Sequence, residues 1–244
     1  RARALVGLQA SDLIALLKSG TGEAKAYALW SLSLSIGEHN QNTLLDEDGV
    51  HPLVTALKSD VQVTRQQAAA AIHLLATNNA KSQKGIAEAG GIEPLIQILQ
   101  PKPQTEDATD TMESRESAAF AIAELALLAA NRDHIVEQKG IDPIVRLLRE
   151  GANEGKRAAA SALARLAMKA IDIGGQISAA GAIPLLVALL EGAHGVGAQE
   201  EGAGALFQLA DNGDNRLKIT EANGIGPLVV LLGSSNAQAR AHAE

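Results

Sequence analysis

The sequence is organised by one short phrase, a glycine followed three residues later by a proline, which recurs at a nearly constant spacing. The prolines lie at positions 52, 94, 143, 184 and 227, so successive copies are 42, 49, 41 and 43 residues apart. An apolar run follows each proline, as in the segment 184–190. Self-similarity at a period of about 20–50 residues is typical of repeat proteins. This spacing predicts a helical solenoid.

Within each copy, we expect the glycine to end one helix and the proline to begin the next. Glycine fits the left-handed turn that follows a helix C-terminus, because it has no Cβ atom. Proline fits a first helical turn, where its missing N–H would have no partner anyway. These roles are predicted for Gly49, Gly91, Gly140, Gly181 and Gly224 and for the prolines that follow them.

A longer helix follows each proline-initiated helix, and its sequence repeats in columns. Five seven-residue stretches can be aligned, beginning at Ala26, Ala69, Ala119, Ala160 and Ala203. In all five, the first and third residues are alanine, the fourth is leucine or isoleucine, and the last is leucine. Residues three and four positions apart share one face of a helix. We therefore expect these columns to be buried.

Composition narrows the class of protein further. Hydrophobic residues make up 46% of the chain but aromatic residues only 2%, so the core must consist of Ala, Leu, Ile and Val, which favours an all-α fold. A net charge of −7 argues against a nucleic-acid partner. The chain has no cysteine and no apolar run near the roughly 20 residues of a membrane span. We expect a cytoplasmic location and leave an additional nuclear location open.

The spacing, the proline position and the columns of the long helix together resemble armadillo repeats. The resemblance covers essentially the whole chain and implies an all-α, right-handed α-α superhelix (solenoid) of about five repeats plus partial terminal repeats. HEAT repeats, the nearest alternative, are helix pairs and would not predict the short helix before each glycine. The resemblance implies a single domain over residues 1–244, with approximate repeats 1–37, 38–78, 79–130, 131–171, 172–213 and a partial 214–244.

Three features depart from a regular array. The chain begins abruptly and stops inside a predicted helix, so we expect it to be a segment of a longer protein. The 49-residue step contains a segment, 100–112, with two prolines, which predicts an extruded loop. This loop is either a tolerated surface insertion or a phosphorylated or partner-binding loop. Gly202 and Gly204 interrupt the last aligned helix and weaken it, unless they permit a close contact.

The resemblance implies that the third helix of each repeat lines a concave groove that binds a partner protein or an extended peptide. The candidate groove residues lie between the columnar positions of these helices. All four Phe, Trp and Tyr residues of the chain are among them. The set comprises Glu23, Tyr27, Trp30, Ser31, Gln66, His73, Glu116, Phe120, Glu124, Arg157, Arg165, Glu200, Phe207 and Gln208. For the aromatic residues, packing beneath the next repeat is the alternative to contact with a ligand.

One known binding mode of this family is not expected. Its nuclear-import adaptors hold basic localisation signals with a ladder of asparagines, each paired with a tryptophan one turn earlier. The corresponding asparagine column here contains Ser31, Leu74, Glu124, Arg165 and Gln208. We therefore reject recognition of nuclear-localisation signals by that mechanism.

No catalytic, cofactor-binding or metal-binding residues are predicted. The six histidines are scattered, without a pair at ligand spacing, and the glycine-rich segments lack the Lys-Ser/Thr of a phosphate-binding loop. We expect a protein-interaction scaffold and not an enzyme. Two alternatives stay open: the substrate-recognition region of a larger enzyme such as a U-box ubiquitin ligase, and a structural or cytoskeletal spacer.

Overall fold

The computed structural model describes residues 10–35, 38–46, 48–100, 110–191, 193–233 and 237–243. Every regular element in these ranges is an α-helix, so the predicted all-α class is confirmed. The chain divides into two compact units, which are residues Arg1–Gln138 (unit 1) and Lys139–Glu244 (unit 2).

Unit 1 consists, in its described part, of nine helices in which a short, a proline-bearing and a long helix alternate. They are α1 (Ala10–Ser19), α2 (Gly22–Ser35), α3 (Glu38–Asp46), α4 (Val50–Ala56), α5 (Gln62–Ala76), α6 (Ala80–Glu88), α7 (Ile92–Leu99), α8 (Met112–Leu125) and α9 (Ala129–Glu137). The long helices pack side by side, α2 on α5 and α5 on α8. These are the predicted third helices of the repeats.

Unit 2 continues the same alternation. Its described helices are α10 (Ile141–Glu150), α11 (Asn153–Ala167), α12 (Ile171–Ala179), α13 (Ala182–Leu189), α14 (Val196–Leu209), α15 (Gly213–Glu221), α16 (Ile225–Leu232) and α17 (Ala237–Ala243). The third helices α11 and α14 pack on each other, and α17 packs on α14. The order of elements is therefore the same in both units.

The predicted columns of the third helices form the core. In α5, α8, α11 and α14 the alanine, leucine and isoleucine columns are all fully or almost fully buried. Leu29 and Leu32 of α2 are buried in the same way. Only Ala26 departs from the pattern, because it lines an open pocket between α2 and α5. Small alanines at these positions let neighbouring helices approach closely, while the leucines fill the space between them.

The predicted role of the prolines is confirmed, but that of the glycines is wrong at four positions out of five. Each proline is the third residue of its helix and so lies in the first turn. The repeat glycines at 49, 91, 140 and 224 have φ between −77° and −68°, which any residue can adopt. The left-handed residue is the preceding one in each case, namely Asp48, Gly90, Lys139 or Asn223.

Close contact, not backbone conformation, explains the repeat glycine. The N–H of Gly91 donates to the carbonyl of Ile86 at 2.9 Å, which closes the C-terminus of α6. A Cβ atom on Gly91 would lie 2.7 Å from Ile86 Cγ2 and 2.9 Å from Ile86 O. Gly49 and Gly224 make the same bond and leave equally little room for a Cβ atom. Glycine is needed because the preceding helix end lies directly against the chain.

The Gly-x-x-Pro motif that begins at Gly181 is displaced by one residue relative to the backbone positions that the other four motifs occupy. Gly181 itself has φ 83° and is exposed, and it therefore takes the position that Gly90 has before α7. Ala182 is buried in the place of Gly91. Pro184 is exposed accordingly, whereas Pro94 is buried. The prolines are 41 residues apart before Pro184 and 43 residues apart after it, because Pro184 lies one position earlier in its repeat than the other prolines do.

Buried amides tie successive repeats together within each unit. The Nδ2 atom of Asn131 donates to Leu125 O at 2.9 Å, at the end of the preceding third helix, and to Gln83 O at 3.3 Å, in the preceding first helix. Asn215 makes the matching pair of bonds in unit 2, to Leu209 O at 3.0 Å and Gly174 O at 3.3 Å. Each amide satisfies carbonyls that burial removes from water.

A buried ion pair holds the described end of the predicted 100–112 loop. Residues 101–109 lie outside the described ranges. Asp110, which precedes the α8 N-cap Thr111, accepts a bond from Arg65 Nε at 2.8 Å. Arg65 Nη1 also donates to the carbonyls of Ser59 and Asp60 at 2.7 and 3.1 Å. The chain that enters α8 is thereby attached to the turn between α4 and α5.

The interior glycines of α14 permit close contacts, as the alternative interpretation required. A Cβ atom at Gly202 would lie 3.1 Å from Leu189 Cβ and 3.3 Å from Leu186 O, both on α13. At Gly204 it would lie 3.4 Å from the His242 ring of α17. The loss of helix propensity therefore accompanies tight packing on two neighbouring helices.

Candidate functional site

The candidate groove residues differ in how far each is exposed. Glu23, Tyr27, Trp30 and Phe207 are exposed. Two residues, Ser31 and Glu124, are buried, with 8% and 6% of their surface exposed. The others are half-buried: Gln66, His73, Glu116, Phe120, Arg157, Arg165, Glu200 and Gln208. The exposed positions of the third helices are called the third-helix face below, and each unit's face is described separately.

The third-helix face of unit 1 carries an open apolar pocket between α2 and α5. The pocket has a volume of about 480 Å³ and is lined by Glu23, Ala26, Tyr27, Trp30, Val61, Val63 and Gln67. Four large side chains are each exposed by 40–49%: Tyr27, Trp30, Val61 and Val63. Volumes of about 300–1,000 Å³ are typical of ligand pockets. The volume of this opening falls within that range.

Further along the same face, two aromatic rings of adjacent third helices lie against each other. The centroids of the His73 ring on α5 and the Phe120 ring on α8 are 5.3 Å apart, with the planes inclined by 33°. Offset or inclined rings at about 4.5–7 Å attract each other. Both are half-buried, so their remaining surface is available to a ligand. Sequence spacing alone brought these two residues into the candidate set, and the fold brings them into contact.

The third-helix face of unit 2 carries a group of charged side chains on α11 and α14. Arg157 binds Glu154 through two nitrogens, at 2.8 Å from Nη2 and 3.0 Å from Nε. Arg165, Glu200 and Glu201 belong to the same group of charges on α11 and α14. Gly197 leaves room for Arg157, since a Cβ atom there would lie 2.9 Å from Arg157 Cδ. Opposite charges are interspersed here, so this face has no single sign.

Glu201 is the member of this group with the most perturbed environment. Burial raises the pKa of its carboxyl, against a hydrogen bond with Ser161 and the charges of Arg165 and Arg157, which lower it. The folded protein thus holds the Glu201 proton more tightly than the unfolded chain does. Its contribution to stability is fully present below its ordinary pKa and is lost as the pH rises through the raised value.

We therefore expect Glu201→Gln to raise the melting temperature at pH 7.5 and to lose this advantage at pH 4. Glutamine has a similar size and cannot ionise, so it avoids burying a charge. Thermal unfolding followed by circular dichroism at both pH values measures the difference. Glu221→Gln, at an exposed position of α15, is the control and should change little at either pH. A lower melting temperature for Glu201→Gln at pH 7.5 would contradict the interpretation.

At the far end of unit 2, Phe207 contributes to a second opening. Its ring lies 5.9 Å from that of His242, centroid to centroid. The opening has a volume of about 410 Å³, and its walls come from α14, α15, α16 and α17. Phe207 remains 48% exposed despite the contact with His242. Of the two interpretations of this residue, packing and ligand contact, the geometry accommodates both.

Some residues of these surfaces were missed by reasoning from sequence. Val61 and Val63 line the unit 1 pocket but precede or begin α5, outside the aligned columns. Their sequence signal is two valines in an otherwise polar turn and first helical turn, 58–66. Glu201 directly follows the candidate Glu200 and could not be distinguished from it by spacing.

Neither a metal site nor a membrane span stands out in the part of the chain that the structure describes. There, no group of three or more His, Asp or Glu side chains is placed to hold a metal ion. None of the described helices is long and apolar enough to cross a membrane alone. The pair α12 and α13 passes that test of length and composition only jointly, and is bent by 88°.

Comparison with known proteins agrees with this arrangement of helices. The family model "Armadillo/beta-catenin-like repeat" matches residues 129–168, which include α9, α10 and α11. A designed armadillo repeat protein superimposes with a TM-score of 0.84 at 24% identity, over 96% of this chain and 97% of the design. Residues 129–168 thus match an armadillo repeat, and the chain has the fold of armadillo repeat proteins.

Two other armadillo proteins extend the comparison. Human "Armadillo repeat-containing protein 3" is 34% identical over 90 residues, which are 37% of this chain and 10% of that protein. The chain therefore matches only a small part of this relative. Computationally designed armadillo repeat proteins for modular peptide recognition superimpose with a TM-score of 0.81 at 25% identity, over 96% of this chain and 97% of the design. The armadillo solenoid predicted from the sequence is thus confirmed.

Proposed function

We propose that this armadillo scaffold binds an extended peptide, or an extended segment of a partner protein, along its third-helix faces. The observation that carries the proposal is the exposure of aromatic side chains on these faces. Tyr27, Trp30 and Phe207 are each exposed by 40–48%, although the leucine columns of the same helices are buried. Aromatic residues are over-represented among the residues that dominate binding energy.

Two further considerations support this proposal. The designed armadillo proteins of similar fold were made for modular peptide recognition, and this chain shares their arrangement of helices. A net charge of −7 favours a protein or peptide partner over a nucleic acid. We propose that the chain acts by binding and not by catalysis, since its sequence offers no catalytic constellation.

The proposal can be tested with a phage-displayed library of random linear peptides selected on the whole chain. Peptides enriched on the wild type are then measured against Phe207→Ser. The matched control is Leu217→Ser, at an exposed apolar position on a first helix of the same unit. We expect Phe207→Ser, alone or with Tyr27→Ser, to raise the Kd about tenfold, which corresponds to about 1.4 kcal/mol.

The control should leave the Kd within a factor of about two, as surface changes away from a binding site usually do. If no peptide is enriched, or if enriched peptides respond to Leu217→Ser and not to the third-helix variants, the proposed function is wrong. Melting temperatures of all variants should stay close to that of the wild type, because each changed side chain is exposed.

A further inference from the structure

The pocket between α2 and α5 is apolar in a way that its neighbours on the third-helix face are not. Tyr27 and Trp30 form one wall, and Val61 and Val63 form the other. Each of the four is 40–49% exposed, so the pocket presents a continuous apolar patch to solvent. Soluble proteins seldom leave such patches uncovered unless they bind something there.

The polar groups of the pocket are few and lie at its edge. Glu23 is the one acidic or basic residue among the described residues that line the pocket, and it is exposed. Gln67 is the other polar lining residue. A second exposed carboxylate, Asp60, directly precedes Val61. The nearby arginine, Arg65, is buried in its ion pair with Asp110 and so does not offset these negative charges.

These features discriminate between two kinds of occupant. A lysine or arginine head placed between the valines would lose its hydration and meet no carboxylate there, which is costly for a charge. An aliphatic or aromatic side chain has no charge to desolvate, and its entry removes apolar surface from water. A positive charge is favourable only at the edge, beside Glu23 and Asp60.

We propose that this pocket receives an apolar side chain of the bound partner, next to a lysine or arginine of the same partner that faces Glu23. The inference rests on the proposed function and specifies its ligand. The partner segment therefore combines a bulky apolar anchor with an adjacent positive charge. The anchor supplies affinity through burial, and the charge fixes the register of the chain along the face.

The decisive variant is Val63→Asp, measured with the peptides enriched from the random library on the wild-type chain. Aspartate at the second residue of α5 is favourable for the helix, because it lies near the positive end of the helix dipole. Folding should therefore be unaffected, while a charge is placed in the pocket wall. Val196→Asp is the matched control, since Val196 is similarly exposed and begins the third helix α14 in unit 2.

We expect the wild type to enrich peptides with an apolar residue beside Lys or Arg, and Val63→Asp to weaken their binding at least about tenfold. Val196→Asp should leave that affinity unchanged. Selection on Glu23→Lys should keep the apolar residue and replace its basic neighbour by Asp or Glu.

Contrary results separate the two proposals. Peptides that respond to Phe207→Ser but not to Val63→Asp would overturn the pocket assignment and leave the proposed function intact. A consensus of Lys and Arg without an apolar residue would also overturn it. If no peptide is enriched, or none responds to any third-helix variant, both proposals are wrong.

Discussion

Replacing Arg65 by methionine should lower the free energy of unfolding by about 3–5 kcal/mol, the usual result of removing one partner of a buried ion pair. The side chains of Arg65 and Asp110 are only 6% and 1% exposed, and their contact is 2.8 Å long. Without the guanidinium, the buried Asp110 side chain loses this ion pair. The carbonyls of Ser59 and Asp60 also lose a donor.

Urea unfolding followed by circular dichroism measures this loss. Arg146→Met is the control, because Arg146 is exposed on α10, and it should change stability by no more than about 0.5 kcal/mol. The double variant Arg65→Met with Asp110→Leu should recover much of the loss, since an apolar pair of similar volume carries no uncompensated charge. A loss below about 1 kcal/mol for Arg65→Met alone would show that the pair is open to solvent.

The second large effect is expected for Gly91→Ala, which should destabilise the protein by about 1–3 kcal/mol, as overpacking of a core does. The added methyl group would meet Ile86 Cγ2 at 2.7 Å and the Ile86 carbonyl oxygen at 2.9 Å. The oxygen belongs to the backbone and cannot turn aside as a side chain can. The bond from Gly91 N–H to that oxygen would lengthen or break.

The same substitution should have the opposite sign at Gly175. This glycine is inside α12, and a Cβ atom there would have no neighbour within 4 Å. Alanine should therefore stabilise the helix by about 0.5–1 kcal/mol. Comparing the two variants by urea unfolding separates steric crowding from helix propensity. Equal changes in the free energy of unfolding for both variants would mean that crowding at Gly91 does not destabilise the protein.

The fold could be predicted from the sequence because its determinants are periodic. The proline spacing sets the length of the repeat, and the alanine and leucine columns identify the buried face of each third helix. The role of the repeat glycine could not be predicted, since two neighbouring positions at a helix end both favour glycine. The pair Gly90 and Gly91 occupies both, and only the backbone geometry tells them apart.

The candidate site could be predicted only in part, for a related reason. Spacing along a helix gives the direction in which a side chain points but not how much of it the neighbouring helix covers. Glu124 and Gln208 share one column, yet the first is buried and the second half-buried. The pocket depends on Val61 and Val63, whose position follows from how the start of α5 lies beside α2.

The asparagines that join successive repeats affect how the repeats unfold locally. Asn131 belongs to one repeat by sequence, but its amide bonds lie on Leu125 and Gln83 of the repeat before it. If the repeat that contains Asn131 unfolds, the carbonyls of Leu125 and Gln83 in the preceding repeat lose their donor while still largely shielded from water. Unfolding one repeat therefore also costs free energy in its neighbour. We expect amide hydrogen exchange in unit 1 to occur through openings that involve both repeats together.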